Sequence, residues 1–219
     1  MKKITIITGH YGSGKTNLSV NLAVRAAEEG KKVAVVDLDL VNPYFRTADF
    51  KELFENKGIK LIAPDFANTN LDVPSIQFDI EQLAINEDCL IIDVGGDDAG
   101  ATALGRYAEA MLERFSEEID MLYVINQRRT LTSNADEAVT LMYEIEAASR
   151  MKHTAIVNNT NLGRETTSDI VKQSAEFAES VAEKTGLPLA FTTCPEEYCT
   201  AEEKDILPIK VYVKLPWDR

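Results

Sequence analysis

The sequence predicts a three-layer α/β fold built on a mainly parallel sheet of about seven or eight strands. Three observations carry this prediction. Short β-branched runs alternate with longer segments of helical period along the whole chain. Most of those runs are continuously apolar instead of alternating, as in strands covered by helices on both faces. No repeat, low-complexity tract or linker divides the 219 residues, so one domain spanning 1–219 is the simplest organisation.

Taken in order, the first strand is 4–8, an Ile-Thr-Ile-Ile-Thr run behind Lys2 and Lys3. Two charges before an apolar run resemble a signal peptide, but the run is too short and Gly9 breaks it. A helix follows over 16–28, with Leu18, Val20, Leu22, Ala23 and Val24 among its residues. Further β-branched or apolar runs predict strands at 33–37, 59–63, 89–94, 121–126, 154–158, 189–193 and 211–215. Helical period between them predicts helices at 47–56, 76–86, 99–115, 133–150 and 168–184. In such a fold functional residues collect in the loops at the carboxyl ends of the strands.

Composition narrows the function classes. The chain carries 23 Lys+Arg against 36 Asp+Glu, a net charge of −13, which argues against phosphate-neutralising nucleic-acid binding and against adhesion to anionic lipid. It does not argue against one nucleotide, whose phosphates need only backbone amides, a lysine and a metal. No stretch approaches the roughly 18 apolar residues of a membrane span. Three cysteines, Cys89, Cys194 and Cys199, are a sparse and odd set that fits a reducing compartment, and the expected location is cytoplasmic.

The chemistry begins directly after the first strand, at Gly9-His10-Tyr11-Gly12-Ser13-Gly14-Lys15-Thr16. This is G-x-x-x-x-G-K-[ST] in the strand-then-helix context that a phosphate-binding loop requires. Glycines let the backbone curl with its amides inward, and the helix start adds a favourable dipole. Gly9, Gly12, Ser13, Gly14, Lys15, Thr16 and Asn17 are therefore the expected nucleotide-binding set, with Lys15 reaching the β- and γ-phosphates and the Thr16 hydroxyl on Mg²⁺. Two acidic loops complete the group. The second strand ends in Asp37-Leu38-Asp39, and a later one ends in Asp93-Val94-Gly95-Gly96-Asp97-Asp98. Carboxylates there can hold the metal and orient an attacking water. Asp93, after an apolar run, looks like a Walker B aspartate, while Gly95 and Gly96 suit a loop that swings towards a γ-phosphate. Asp37 and Asp39 serve equally well as turn-forming or capping carboxylates, and only the phosphate loop before them tilts the reading towards chemistry.

These motifs resemble the MinD/ParA/CobQ-CobB group of P-loop nucleoside triphosphatases over nearly the full chain. The resemblance rests on the phosphate loop, on Asp37 and Asp39 with Asn42-Pro43 behind them, on Asp93 to Gly96, and on Val124-Ile125-Asn126-Gln127 leading to Ser133 and Asp136. It implies the P-loop NTPase fold, an ATPase using ATP/ADP and Mg²⁺, Lys15 and Asp39 as the catalytic pair, and Thr16, Asp39 and Asp93 as the metal set. Members that form nucleotide-sandwich dimers usually carry a signature lysine after the first glycine. Here that residue is His10, so a homodimer would lack the cation.

GTPases of this class carry Asn-Lys-x-Asp after a later strand. This chain has Asn158-Asn159-Thr160-Asn161, without the carboxylate that reads guanine, so adenine is expected, with Asn158 on the base edge. Cys194 and Pro195, within Thr193-Cys194-Pro195-Glu196, resemble the second base-contacting loop of the family. An Asn-rich turn is the plain alternative for 158–161. Cys194 and Cys199 with only His10 and His153 in the chain make a poor zinc set. Arg46, beside Tyr44 and Phe45, and the pair Arg128 and Arg129 are cations near the expected site, where nucleotide sensing, helix packing and simple solvation are competing uses. The tail after Lys210 reads as an edge strand without the basic amphipathic helix of membrane-cycling relatives.

The leading expectation is a cytosolic Mg²⁺-dependent ATPase whose switch loops after Asp39 and Asp93 control a protein partner or cargo, with no nucleic acid and no membrane as partners. The alternatives are an ATP-dependent phosphotransferase or ligase acting on a small-molecule substrate, as in the biotin and cobalamin pathways, and a nucleotide-bound scaffold of little turnover. At 219 residues there is room for one nucleotide-binding domain, so any partner would be read by the switch loops.

Overall fold

Three isoleucines and two threonines make β1 (Ile4–Thr8) a strand with every residue buried, and it lies near the centre of the sheet. The structure is a computed structural model that describes residues 1–39, 47–63, 78–198 and 205–213. Its other strands are β2 (Val33–Leu38), β3 (Lys60–Ile62), β4 (Cys89–Val94), β5 (Ile119–Ile125), β6 (Ala155–Asn158), β7 (Leu189–Pro195) and β8 (Ile206–Ile209). They form one sheet in the order β3-β2-β4-β1-β5-β6-β7-β8, and every neighbouring pair is parallel. From β1 the chain crosses to β2 and β3 on one side, returns to insert β4 between β2 and β1, and then adds β5 to β8 in turn on the other side. The loops following β1, β2 and β4 therefore meet at the switch point, the crevice where ligands bind in open α/β sheets.

The helices are α1 (Lys15–Glu28), α2 (Lys51–Asn56), α3 (Ile80–Asn86), α4 (Asp98–Gly105), α5 (Ala108–Phe115), α6 (Ala135–Ser149), α7 (Ser168–Gln173) and α8 (Ala175–Thr185). Alternate strand residues enter opposite layers. Ile4, Ile6, Val36 and Ile92 pack with Leu104 and Met111 of α4 and α5. Ile7, Val35 and Ile91 pack with Leu18 and Val24 of α1. Further along the sheet Tyr123 and Ile156 lie under Met142, Phe177 and Val181 of α6 and α8. Each such buried aliphatic or aromatic side chain contributes about 1.5–3 kcal/mol, which explains why the strands carry no polar alternation. No helix among the described residues is long and apolar enough to cross a membrane.

The structure corrects several expected elements. The helix expected over 99–115 is broken after Gly105. A Cβ there would stand 2.9 Å from the Ala148 carbonyl, so the glycine lets α4 press against α6, and the Arg150 guanidinium takes the Gly105 carbonyl. The helix expected over 168–184 breaks at Ser174, whose hydroxyl donates to the Val171 carbonyl at 2.7 Å. The segment expected as helix 47–56 opens with a 3-10 turn (Thr47–Phe50) before α2, and α3 begins only after Asp79, whose carboxylate caps the Gln82 amide at 2.9 Å. Among the described residues the last strand is Ile206–Ile209, and of the strand expected at 211–215 residues 211–213 are not strand while 214 and 215 lie outside the described residues. Pro208 hid the Ile206–Ile209 strand in the sequence, yet an edge strand tolerates proline because one side needs no ladder donor.

Residues 210–213 instead lie over α1. The Asn17 and Asn21 side chains both donate to the Lys210 carbonyl, at 3.0 and 2.8 Å, and Asn17 Oδ1 accepts the Tyr212 amide at 2.8 Å.

Candidate functional site

The phosphate loop is shaped by Gly9, Gly12 and Gly14, whose φ angles are 143°, 74° and 90°. Side chains are excluded at two of them for a further reason: a Cβ on Gly9 would collide with the Val124 carbonyl, and one on Gly14 with the Asn159 amide. The Ser13 amide donates to the His10 carbonyl at 3.1 Å, closing the turn. No side chain caps the start of α1, and no acidic residue occupies its first turn. Its first amides and dipole are thus left for an anion.

Lys15 is buried, and its ammonium donates to the His10 carbonyl at 3.1 Å. Burial pulls it below the ordinary lysine range, opposed by the charges of Asp93, Asp39 and Asp97. Asp37 and Asp39, equivalent in the sequence, part company here. Asp37 Oδ1 accepts the Asp39 amide at 3.0 Å, the turn-forming use, and this turn presents Asp39 to the cavity. Gly95 lies against Asp39, and a Cβ on Gly96 would stand 2.6 Å from the Tyr11 amide nitrogen and 2.8 Å from Lys15 Nζ. The loop after β4 therefore touches the phosphate loop through backbone, which only glycine permits. Asp97 caps α4, accepting the Gly100 amide at 2.9 Å.

Asp93 pairs with Asp37 across β4 and β2 and is 1% exposed. Burial, together with the Asp37 charge, pushes its carboxyl up to about 7, against the pull of Lys15. Neither carboxylate oxygen reaches a hydrogen-bond partner, although the Thr16 and Ser19 hydroxyls nearby favour the ionised form. A buried, unpartnered carboxylate beside a threonine hydroxyl fits a hard divalent cation that takes its other ligands from phosphates and water. Among the described residues no group of three or more His, Cys, Asp and Glu gathers, so a metal here would lean on the nucleotide.

A cavity of about 520 Å³ opens over these residues, lined at one end by Gly12, Lys15, Thr16, Asp39 and Arg129. Its other end is formed by Asn159 to Gly163, Thr166, Thr193, Pro195, Ile209, Val211 and Val213. Of the expected base contacts, Pro195 lines it but Asn158 and Cys194 do not. Asn158 turns into the protein, donating to the Ser174 hydroxyl at 2.8 Å and accepting the Thr160 hydroxyl at 2.8 Å. Cys194 is buried and disulfide-bonded, against the expectation of reduced thiols, while Cys89 is free, its thiol pushed up to about 11 by burial. Asn17 lines the cavity, but its side chain is committed to residues 210–213. Arg46, Tyr44, Phe45, Asn42, Pro43 and Cys199 lie outside the described residues.

Two supports were missed in the sequence. Asn159 donates to the Ser13 carbonyl at 2.6 Å and accepts the Thr193 hydroxyl, tying the loops after β6 and β7 to the phosphate loop. Thr8, the residue before Gly9, is held by His153, whose Nε2 lies 2.7 Å from the Thr8 hydroxyl while Glu146 accepts the His153 amide at 3.0 Å. Burial pushes the His153 imidazole down to about 4. It is neutral in the fold but titrates near 6.5 when exposed, so the unfolded chain binds the extra proton first. Stability should then fall as pH drops from about 6.5 to about 4, by about 3 kcal/mol from this residue. Denaturant titrations at several pH values should show a shallower loss over that window in His153→Gln than in the wild type. His10 is also neutral at pH 7: burial and the nearby Lys15 and Arg129 charges hold it below the ordinary histidine value despite the Tyr11 backbone hydrogen bond.

An all-parallel α/β sheet with G-x-x-x-x-G-K-T between β1 and α1 defines a P-loop nucleoside triphosphatase fold. A family model described as the CobQ/CobB/MinD/ParA nucleotide binding domain matches residues 4–187, and the chain belongs to that family. The tyrosine-protein kinase YwqD of Bacillus subtilis is 44% identical over 52 residues, 24% of this chain and 22% of the kinase. An uncharacterized ATP-binding protein of Methanocaldococcus jannaschii is 57% identical over 37 residues, 17% of this chain and 14% of that protein. The chain thus spans less than a quarter of the length of either relative. Among solved structures, FtsY of Mycoplasma mycoides matches with a TM-score of 0.62 at 20% identity, covering 88% of this chain and 60% of that one, a likeness of fold alone.

Proposed function

We propose that the protein is an Mg²⁺-dependent ATPase in which the nucleotide state moves the loop after Asp93 and so controls a protein partner. The observation that carries this reading is the convergence on one cavity wall of Lys15, Thr16 and Asp39, with the unpartnered Asp93 carboxylate behind them. When bound, Mg²⁺ would neutralise phosphate charge, held by the Thr16 hydroxyl and by Asp93, either directly or through water. Lys15 would exchange the His10 carbonyl for phosphate oxygens, and Asp39 would orient the attacking water. Gly95 and Gly96 already touch Asp39, Tyr11 and Lys15, so a γ-phosphate arriving at Lys15 must displace or recruit this loop. The companion loop after Asp39 lies outside the described residues.

Adenine is favoured because, among the described residues, the only carboxylate lining the cavity is Asp39, at the phosphate end. Amides and hydroxyls line the other end, and Asn161 Oδ1 already accepts the Gly163 amide at 3.1 Å. A guanine would bring two ring-edge donors with no carboxylate to receive them. The likeness to an ATP-binding protein supports the same choice. Equilibrium binding with non-hydrolysable analogues and Mg²⁺ should favour adenine over guanine by at least about tenfold, roughly 1.4 kcal/mol. Tighter guanine binding overturns the base assignment. Hydrolysis that stays negligible until a small metabolite is added would replace the partner switch by the phosphotransferase or ligase reading.

A further inference from the structure

The loop after β5 brings two arginines to the site, and only one of them enters it. Arg128 does not line the cavity. Arg129 does, and its Nε donates to the Gly12 carbonyl of the phosphate loop at 2.8 Å. Gly12 has no side chain to hold the guanidinium away; a Cβ there would stand 3.1 Å from Nε and 3.2 Å from Cζ. That single bond uses one of the five N–H donors of a guanidinium. Among the described residues no carboxylate pairs with Arg129 and no acceptor takes its Nη groups, in a chain with 36 acidic residues against 23 basic ones. Among the described residues Arg106, Arg128 and Arg150 also make no ion pair with a carboxylate, so it is not the missing acid that sets Arg129 apart but its place: its one bond goes to a backbone carbonyl of the phosphate loop, and the rest of its fork is left over beside the cavity.

The loop that carries it is braced by main chain and threonines, so the approach is set by the fold. The Arg129 amide donates to the Asn126 carbonyl at 3.2 Å, the Thr132 amide donates to the Arg129 carbonyl at 3.1 Å, and the Thr132 hydroxyl donates to the Asn126 carbonyl at 2.8 Å. The Gln127 amide donates to the Thr160 hydroxyl at 3.1 Å, joining this loop to the one after β6.

We propose that Arg129 contacts the terminal phosphate of the bound nucleoside triphosphate from within the same chain, as a second cation beside Lys15. This rests on the triphosphatase reading above. Its planar fork matches phosphate oxygens, and its charge is permanent, so it holds charge and transfers no proton. During hydrolysis the water oxygen bonds to the γ-phosphorus as the bond to the β-phosphate bridging oxygen breaks. The water's proton leaves to a phosphate oxygen or solvent, and Arg129 faces the charge spread over the γ-oxygens. Because this cation belongs to the same chain, turnover per molecule does not rise with protein concentration.

The test compares wild type, Arg129→Ala, Arg129→Lys and Arg128→Ala as full chains with matching melting curves. The readouts are Kd for Mg-ATPγS and Mg-ADP, kcat, and kcat at several protein concentrations. Arg129→Ala should weaken ATPγS by at least about tenfold while ADP stays within about twofold, and should lower kcat by about 100-fold. Arg129→Lys should fall between, added guanidinium ion should restore part of the Arg129→Ala loss, and Arg128→Ala should match wild type. Equal weakening of ATPγS and ADP would reduce Arg129 to a brace for Gly12, and no weakening of either would also overturn the inference. If wild type hydrolyses ATP and Lys15→Ala does not, but Arg129→Ala does so normally, only this inference falls. If wild type binds neither nucleotide, the triphosphatase reading falls with it.

Discussion

Lys15→Ala is expected to lower ATP hydrolysis by at least about 10³-fold, the scale at which removing an electrostatic anchor of a phosphoryl-transfer site is felt. Among the described residues Lys15 is the one ammonium at the phosphate end of the cavity, and its hydrogen bond is to the loop's own His10 carbonyl. That bond is exchangeable for a phosphate oxygen without reorganising the loop, so the cation acts on the nucleotide at little conformational cost. Lys15→Arg should fail nearly as badly. Gly96 packs so closely that even a Cβ there would stand 2.8 Å from Nζ, and a guanidinium does not fit that gap. The substitution also strips Asp93 of its nearest opposing charge, which leaves the buried carboxyl more easily protonated. Single-turnover hydrolysis alongside circular dichroism separates the two effects. A folded Lys15→Ala protein with an unchanged rate would remove the phosphate loop from the chemistry altogether.

The parts of this molecule that were legible in sequence are those whose cause is local. The phosphate loop is contiguous, and its glycines, lysine and threonine each answer to one physical need within eight residues. The strands around it are continuous apolar runs because both faces are covered, and that too is written within each run. What was illegible depends on partners far along the chain. Gly105 interrupts a helical period because of the Ala148 carbonyl, and Ser174 because its hydroxyl serves both Val171 and Asn158. Asn17 reads as a nucleotide contact until residues 210–213 are seen on it. At the end of β6 one residue decides between outcomes: Asn158 turns inward and Asn159 reaches the phosphate loop, and four consecutive polar residues give no phase from which to choose. Arg128 and Arg129 pose the same problem, and only the open space above Gly12 separates them.

Asp93→Asn should exchange function for stability. The carboxylate is 1% exposed with no hydrogen-bond partner on either oxygen, the arrangement in which a charge costs the fold most. In the unfolded chain it ionises near 3.8, in the fold only near 7, so wild-type stability is lost as pH rises through that window. The shift corresponds to about 4 kcal/mol at most. That figure already includes the attraction to Lys15; burying an amide with donors of its own takes back about 1–3 kcal/mol, so a net gain of about 1–3 kcal/mol at most is expected at pH 8. The ligand reverses the order. A nucleotide at 100 times its Kd stabilises the protein it binds by about 2.7 kcal/mol, and the Mg²⁺-dependent share of that gain should vanish with the carboxylate. Melting curves at pH 8 should therefore cross: the variant melts higher alone, and the wild type melts at least as high once Mg-ATPγS is present. A variant that is less stable alone, or that gains as much from the metal nucleotide as the wild type, would show that Asp93 is kept for the sheet and not for the metal.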